Sequence, residues 1–222
     1  MPMSRLSRCA GTTVALVTAA VATASGAAFA QSPTPTAEPS LSGQAATESV
    51  AADTQACRRL TDFAADDTRQ WFVVDDGVMG GRSDGGGFIR DSVLRFEGDV
   101  VTEGGGFTSA RTPLEGDELF DTSRLEMRVR PDGRTYGLTL EDATAFGGRL
   151  VAHRADLDIG ATGDDGWAIA TVEYDELVPS VFGQLVDAPP FDPSTAREFG
   201  IIIADGIDGD FILDIDWIDA CA

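Results

Sequence analysis

The chain has 222 residues, and 37 acidic against 16 basic residues give it a formal net charge of −21 at pH 7. Every basic residue is an arginine, and the chain contains one histidine and three cysteines. Such an acidic surface repels nucleic acids and anionic lipids, so the composition argues against partners of either class.

The first thirty residues have the pattern of a secretory signal peptide. Arg5 and Arg8 precede an uncharged run rich in Ala, Val and Thr, which ends in the cleavage pattern Ala28-Phe29-Ala30. We therefore expect cleavage after Ala30, a periplasmic or secreted mature protein, and no stable membrane insertion after cleavage. Residues 31–56 are rich in Pro, Ser, Thr and Ala, which predicts a disordered linker.

Two cysteines remain after removal of the signal peptide, Cys57 and Cys221, one at each end of the single domain expected over 57–222. In an oxidising compartment, two cysteines that bracket a domain predict a disulfide. The alternative is a pair of unbonded thiols. A metal site built on histidine and cysteine is excluded by the single histidine and the expected disulfide.

Alternation of apolar and polar residues dominates the domain and predicts many short strands. Strands are expected at 60–63, 88–89, 93–96, 107–111, 124–130, 136–140, 149–153, 167–172, 200–204 and 210–218. The runs 124–130 and 136–140 flank a Pro-Asp-Gly turn and are expected to form a hairpin. Asp192 and Pro193 have the chemistry of a helix start and predict one helical turn. This pattern indicates an all-β sandwich.

Three tryptophans, Trp71, Trp167 and Trp217, occur in apolar or alternating contexts. We expect them to pack in the core, whereas exposed tryptophans would point to a sugar-binding face. In the last strand, Trp217 is expected to share a face with Phe211, Leu213 and Ile215.

The stretch DDGVMGGRSDGGGF, residues 75–88, contains six glycines. A phosphate-binding loop would need a lysine after its glycines, and the chain has none. Residues 81–85 match the G-x-S-x-G elbow of serine hydrolases, but a strand follows where that motif needs a helix, and His153 is expected at an exposed strand end. We therefore expect no catalytic residue, and we expect the glycines to form a structured connection between strands.

Acidic residues could also serve a glycosidase or bind calcium. Pairs of carboxylates carry little information in a chain with 37 acidic residues. Asp205, Asp208 and Asp210 could supply oxygen ligands to a structural calcium ion, although the segment lacks EF-hand spacing. A tight turn explains the same cluster. No other cofactor is expected.

Residues 71–83, WFVVDDGVMGGRS, closely resemble the signature of the CIA30 family, the complex I intermediate-associated protein 30 domain. Further segments resemble that family in the same order: 96–98, 105–111, 130–136, 182–183, 192–194 and 211–218. The resemblance covers about residues 60–219. It implies a galactose-binding-like jelly-roll sandwich and a non-enzymatic role, because mitochondrial members hold assembly intermediates of NADH:ubiquinone oxidoreductase. It brings no catalytic residues with it.

These observations predict an exported, non-enzymatic binding or assembly module that recognises a protein partner in the cell envelope. The secretory signal departs from the mitochondrial members, which act in the matrix. The alternative is a carbohydrate-binding protein that uses a galactose-binding-like face, and an enzyme is the third possibility.

Four polar residues of the signature segments are candidate site residues: Asp76, Ser83, Ser109 and Arg111. Either they line one shared binding surface, or they anchor the glycine loop. In the second case Asp76 and Ser83 bond the loop backbone, and Arg111 pairs with one of them.

Overall fold

The computed structural model describes residues 56–222. The predicted signal peptide over 1–30 lies outside the described residues, and so does the predicted linker over 31–56 apart from Ala56. Within 56–222, no helix is long and apolar enough to cross a membrane.

The described residues form strands and three short 3-10 turns. The strands are β1 (Cys57–Thr61), β2 (Phe72–Asp75), β3 (Asp84–Arg90), β4 (Val93–Val100), β5 (Thr108–Pro113), β6 (Arg124–Arg130), β7 (Tyr136–Phe146), β8 (Arg149–Asp156), β9 (Asp158–Ile159), β10 (Ala168–Glu173), β11 (Val178–Val181), β12 (Gln184–Leu185), β13 (Glu198–Ile203) and β14 (Gly209–Cys221). The 3-10 turns are Asp76–Met79, Tyr174–Glu176 and Pro193–Thr195. The last of them is the helical turn predicted at Asp192 and Pro193. The Asp192 side chain caps this turn by accepting a hydrogen bond from the Ser194 amide.

The strands form two antiparallel sheets. The first sheet has the order β3-β4-β14-β6-β10-β9, and β1 pairs with β14. The second sheet has the order β12-β11-β8-β7-β13-β5-β2. The two sheets form a sandwich, so the all-β sandwich expected from the sequence is confirmed.

The core lies between the two sheets and follows from the alternation of residues. On β6, Leu125, Met127 and Val129 are fully buried, while the arginines and glutamate between them face outward. On β7, Leu138 and Leu140 are buried from the other side. Burial of each such side chain stabilises the fold by roughly 2 kcal/mol. The outer sheet faces are left for polar side chains and for binding.

The predicted hairpin between residues 124–130 and 136–140 was wrong. β6 pairs with β10 and β14 in the first sheet, whereas β7 pairs with β8 and β13 in the second. The turn between them carries the chain from one sheet to the other. Alternation reports which side chains face inward, and it carries no information on which strand is the partner.

Two tryptophans lie outside the core, contrary to expectation. The pairing of β14 with β6 shifts register between Ile215 and Trp217 and places Trp217 opposite Arg128, on the outer face. A β-bulge of this kind reverses the inward and outward positions that follow it. Trp167 is also half-buried on that face, whereas Trp71 packs on Phe199, with ring centroids 5.8 Å apart.

The predicted disulfide is present. Cys57 and Cys221 lie opposite each other in the pairing of β1 with β14, and their sulfurs are bonded. The bond closes a chain segment of 164 residues, and loop-closure entropy assigns about 5 kcal/mol to such a constraint in the unfolded state.

Candidate functional site

Asp76 is the centre of the glycine-rich signature segment. It follows β2, begins a 3-10 turn, and is fully buried. Its Oδ1 accepts a hydrogen bond from the Ser83 amide at 2.9 Å, and its Oδ2 accepts bonds from the Ser83 hydroxyl at 2.7 Å and from the Gly106 amide at 2.6 Å. The Ser83 hydroxyl in turn accepts from the Val101 amide at 3.0 Å. One carboxylate therefore joins the signature loop, the end of β4 and the loop before β5.

Two glycines approach this carboxylate closely. A Cβ atom at Gly81 would lie 2.2 Å from the Asp76 Cγ, and a Cβ atom at Gly105 would lie 2.3 Å from its Oδ2. Neither position has room for a side chain while the carboxylate stays in place. Gly80, which precedes Gly81 at the end of the 3-10 turn, has a φ of +92°, which favours glycine.

The pKa of Asp76 is lowered from its ordinary value. Burial by itself raises the pKa of this carboxyl, but the hydrogen bonds from the Gly106 amide and from the Ser83 hydroxyl and amide outweigh burial. The carboxylate is therefore ionised in the folded protein at neutral pH and is occupied by its own loop.

The second group of glycines lies within a strand, where a connection was expected. Gly85, Gly86 and Gly87 belong to β3. A Cβ atom at Gly85 would lie 2.1 Å from the Thr108 Oγ1, and one at Gly86 would lie 2.7 Å from the Phe88 ring. Close packing against the buried Thr108 requires glycine at position 85, whereas glycine at position 86 leaves room for the exposed Phe88 ring.

Ser109 and Arg111 lie on the outer face of the second sheet. The Ser109 hydroxyl donates to the Val74 carbonyl at 3.2 Å and accepts from the Arg111 Nε at 2.9 Å. Arg111 also donates to the Glu198 Oε1 at 3.0 Å, and its Nη1 lies 3.8 Å from the Glu141 Oε1. Burial, followed by the charge of Glu198, raises the pKa of Glu141, and Arg111 opposes this rise.

The four candidate residues thus form two clusters. The expected pairing of Arg111 with Asp76 or Ser83 is not found among the described contacts. Along β5, Arg111 pairs with Phe72, three residues or about 10 Å of strand from Thr108, which pairs with Asp75, whereas Ser109 pairs with Val74. Asp76 bonds Ser83, and Ser109 bonds Arg111. A binding or anchoring role for these four residues remains a prediction.

The serine-hydrolase alternative fails on geometry. His153 was expected at an exposed strand end and is instead fully buried, because the segment containing Pro189 and Phe191 covers it. Its Nε2 lies 3.2 Å from the Pro189 carbonyl oxygen. The Ser83 hydroxyl donates to Asp76, so serine and histidine have separate partners.

Two of the three aspartates considered as calcium ligands have other partners. The Asp205 carboxylate forms a bidentate pair with Arg134, with both distances 2.8 Å. Asp208 accepts from the Thr102 amide at 2.6 Å. Within residues 56–222, the carboxylates of Asp205, Asp208 and Asp210 do not converge into a ligand cluster.

A line of side chains that was not expected from the sequence crosses the outer face of the first sheet. We call Phe88, Arg95, Asp214, Arg130 and Trp167 the cross-strand row. Phe88 pairs with Arg95, Arg95 with Asp214, and Asp214 with Arg130 on successive strands, and the Arg130 guanidinium lies 4.4 Å from the centre of the Trp167 ring. These side chains line an open cavity of about 580 Å³. Its members lie far apart in the chain, so no local motif could have shown it.

A second surface missed from the sequence is formed by two hairpin tips at the edge of the second sheet. We call Phe146, Leu150, Phe182 and Leu185 the hairpin-tip cluster. Their exposed fractions are 46%, 45%, 66% and 76%. The Arg149 guanidinium lies 4.7 Å from the centre of the Phe182 ring and so links the β7–β8 tip with the β11–β12 tip.

The fold is that of the β-sandwich carbohydrate-binding modules. The chain is similar to the family 11 carbohydrate-binding module of a cellulosomal cellulase of Clostridium thermocellum, with 11% identity, a TM-score of 0.52, and coverage of 76% of this chain and 96% of that one. It is also similar to the family 11 module from Clostridium thermocellum in complex with a β-1,3-1,4-mixed-linked tetrasaccharide, with 11% identity, a TM-score of 0.51, and coverage of 75% and 95%. At this identity the likeness concerns the fold.

The family of the chain is shown by the match of its sequence to a family model. The family model of complex I intermediate-associated protein 30 (CIA30) matches residues 61–215. The chain therefore belongs to the CIA30 family, as the signature over 71–83 predicts. No curated protein matches the chain.

Proposed function

We propose that this chain is an exported, non-catalytic binding module that holds a protein partner in the cell envelope, in the manner of an assembly factor. The signal-peptide pattern of residues 1–30 supports export. The description of the family as intermediate-associated proteins supports a partner that is a protein.

The use of the polar groups supports a role without catalysis. Asp76 and Ser83 bond each other and the loop backbone. The chain's one histidine is buried against a carbonyl oxygen. A general base or nucleophile must reach a substrate proton or carbon, and these groups have no free path to one.

The hairpin-tip cluster is the observation that carries the proposal. Large apolar side chains exposed together on a soluble protein mark contact surfaces, because their exposure to water contributes nothing to folding. Phe182 has a φ of +51°, which is unfavourable for a bulky side chain. The fold therefore keeps an exposed phenylalanine at a strained tip where glycine or asparagine would be more stable.

A variant of this cluster tests the proposal. The mature protein, from Gln31 onward, is immobilised beside the double variant Phe182→Ser, Leu185→Ser and the control Ile212→Ser, whose side chain is exposed on the first sheet. We expect the wild type and the control to capture the same envelope protein, and the double variant to lose it. Equal capture by all three would contradict the proposal.

Carbohydrate recognition is the second candidate function, and the cross-strand row favours it. An exposed and a half-buried aromatic ring beside paired guanidinium and carboxylate groups have the chemistry that binds sugar rings and their hydroxyls. The tetrasaccharide in the structure of the Clostridium thermocellum module belongs to that protein. For this chain, the residues of the cross-strand row support carbohydrate recognition.

A further inference from the structure

We infer that the cross-strand row is a binding site for a neutral saccharide chain that runs across the strands of the first sheet. This inference rests on the second candidate function and is independent of the hairpin-tip cluster. The row lies on the first sheet, and the hairpin tips lie at the edge of the second.

The dimensions of the row suit an extended ligand. Its members come from β3, β4, β14, β6 and the residue before β10, which are five adjacent positions across the sheet. Four inter-strand spacings of about 4.8 Å give a length of about 19 Å. An open cavity of about 580 Å³ along this line has room for several sugar rings in sequence.

The centre of the row offers polar groups that are already oriented. Asp214 is nearly buried and accepts from the Arg95 Nε at 2.7 Å and Nη2 at 3.0 Å, and from the Arg130 Nη1 at 3.4 Å. The side chains of Arg95 and Arg130 are each 48% exposed, so N–H groups remain available to a ligand. A bidentate pair fixes the guanidinium plane, and less conformational entropy is then lost when a hydroxyl binds.

The charge of the cavity favours a neutral ligand. The charged side chains that line it are three arginines and three acidic residues: Arg90, Arg95, Arg130, Asp91, Glu97 and Asp214. The positive and negative charges that line the cavity are therefore equal in number. The whole chain carries a net charge of −21 and repels anions at a distance. A sugar chain without carboxylate or sulfate groups can approach such a site and bind by hydroxyl contacts and ring stacking.

Aromatic side chains close both ends of the row. Phe88 is 58% exposed, and its ring lies over Gly86, where a Cβ atom would be 2.7 Å from the ring atom Cε2. Glycine at position 86 thus lets the ring lie down against the strand. At the other end, the guanidinium groups of Arg130 and Arg128 lie 4.4 Å and 4.7 Å from the centre of the Trp167 ring, and Arg130 also donates to Asp214. The two rings frame the polar centre.

Nuclear magnetic resonance titration of the mature protein tests the site. The probes are hexasaccharides of β-1,4-glucan, mixed-linked β-1,3-1,4-glucan, β-1,4-xylan and β-1,4-mannan, with hexagalacturonate as the anionic comparison. We expect at least one neutral probe to bind, with the largest amide shifts in residues 86–97, 128–130, 167 and 214.

Three variants distinguish a loss of saccharide binding from a loss of folding. Phe88→Ala removes an exposed ring and should weaken binding by about tenfold, the equivalent of ~1.4 kcal/mol. Gly86→Ala keeps every side chain of the row but displaces the Phe88 ring, so it should weaken binding as well. Trp217→Ala is the matched control, because Trp217 lies on the same sheet face outside the cavity, against Arg59. It should bind as the wild type does, and thermal unfolding confirms that each variant folds.

Each result that differs from the expected one overturns a different part of the proposal. Neutral saccharide binding with shifts on the outer face of the second sheet would overturn the cross-strand row and leave carbohydrate recognition standing. Binding of hexagalacturonate alone would overturn the inference of a neutral ligand. No binding of any probe would overturn both the row and the second candidate function, while the protein-partner proposal would be untouched.

Discussion

Asp76 is a carboxylate that the protein buries and then surrounds with its own donors. The amides of Ser83 and Gly106 and the Ser83 hydroxyl all point at its oxygens. Removal of such an acceptor leaves buried donors without partners, and an unmet buried donor costs more than a made bond contributes. At the scale of single residues, the signature of the family thus has a structural explanation that requires no ligand.

The variant Asp76→Ala should lower the free energy of unfolding by about 3 kcal/mol, because two or three buried donors lose their acceptor. Urea unfolding of the variant, the wild type and the control Asp187→Ala, which removes an exposed carboxylate, measures this difference. A loss no larger than that of the control would show that the carboxylate does not anchor the loop.

The same residue predicts a pH dependence. The pKa of Asp76 is lowered in the folded state, so its stabilising contribution is complete above the ordinary aspartate pKa and is lost as the pH falls through the lowered value. The difference in stability between wild type and Asp76→Ala should therefore shrink in acid, below about pH 4. A difference that stays constant down to pH 2 would contradict this assignment.

Strand positions were predictable from the sequence at the scale of elements, and strand partners were not. The run 124–130 was predicted with the observed bounds because alternating Leu, Met and Val mark one buried face. The hairpin assigned to it was wrong because the following turn crosses between sheets. β11 and β12, at one edge of the second sheet, were missed because they are short and lack clear alternation.

The first and last strands are joined by a covalent bond as well as by pairing. β1 pairs only with β14 among the described strands, and Cys57–Cys221 ties the two at the chain ends. Reduction of the disulfide should lower the free energy of unfolding by about 3–5 kcal/mol. This corresponds to a fall in Tm of about 10 °C for a domain of this size.

Calorimetry with and without a reductant checks the prediction. The double variant Cys57→Ser, Cys221→Ser should melt with the reduced wild type and should no longer respond to the reductant. An unchanged Tm on reduction would show that pairing of β1 with β14 alone holds the chain ends.

At the scale of the whole molecule, the two candidate binding surfaces lie on separate parts of the sandwich. The cross-strand row draws one residue from each of five adjacent positions in the first sheet, and the hairpin-tip cluster draws on two hairpin tips of the second. The fold class was predictable because alternation and turn chemistry are local. These surfaces were not predictable, since they depend on which strands are neighbours in each sheet.

The central claim is that this CIA30 domain binds a partner through exposed side chains at its sheet edges while the glycine-rich signature stabilises the fold. Site-specific photocrosslinking in the cells that produce the protein tests it most directly, with benzoylphenylalanine replacing either Phe182 in the hairpin-tip cluster or Arg82 in the signature loop. Both side chains are exposed, so both probes can reach a bound protein. We predict a discrete protein adduct from position 182 and none from position 82. An adduct from position 82 without one from position 182 would place the partner on the signature loop and contradict the claim.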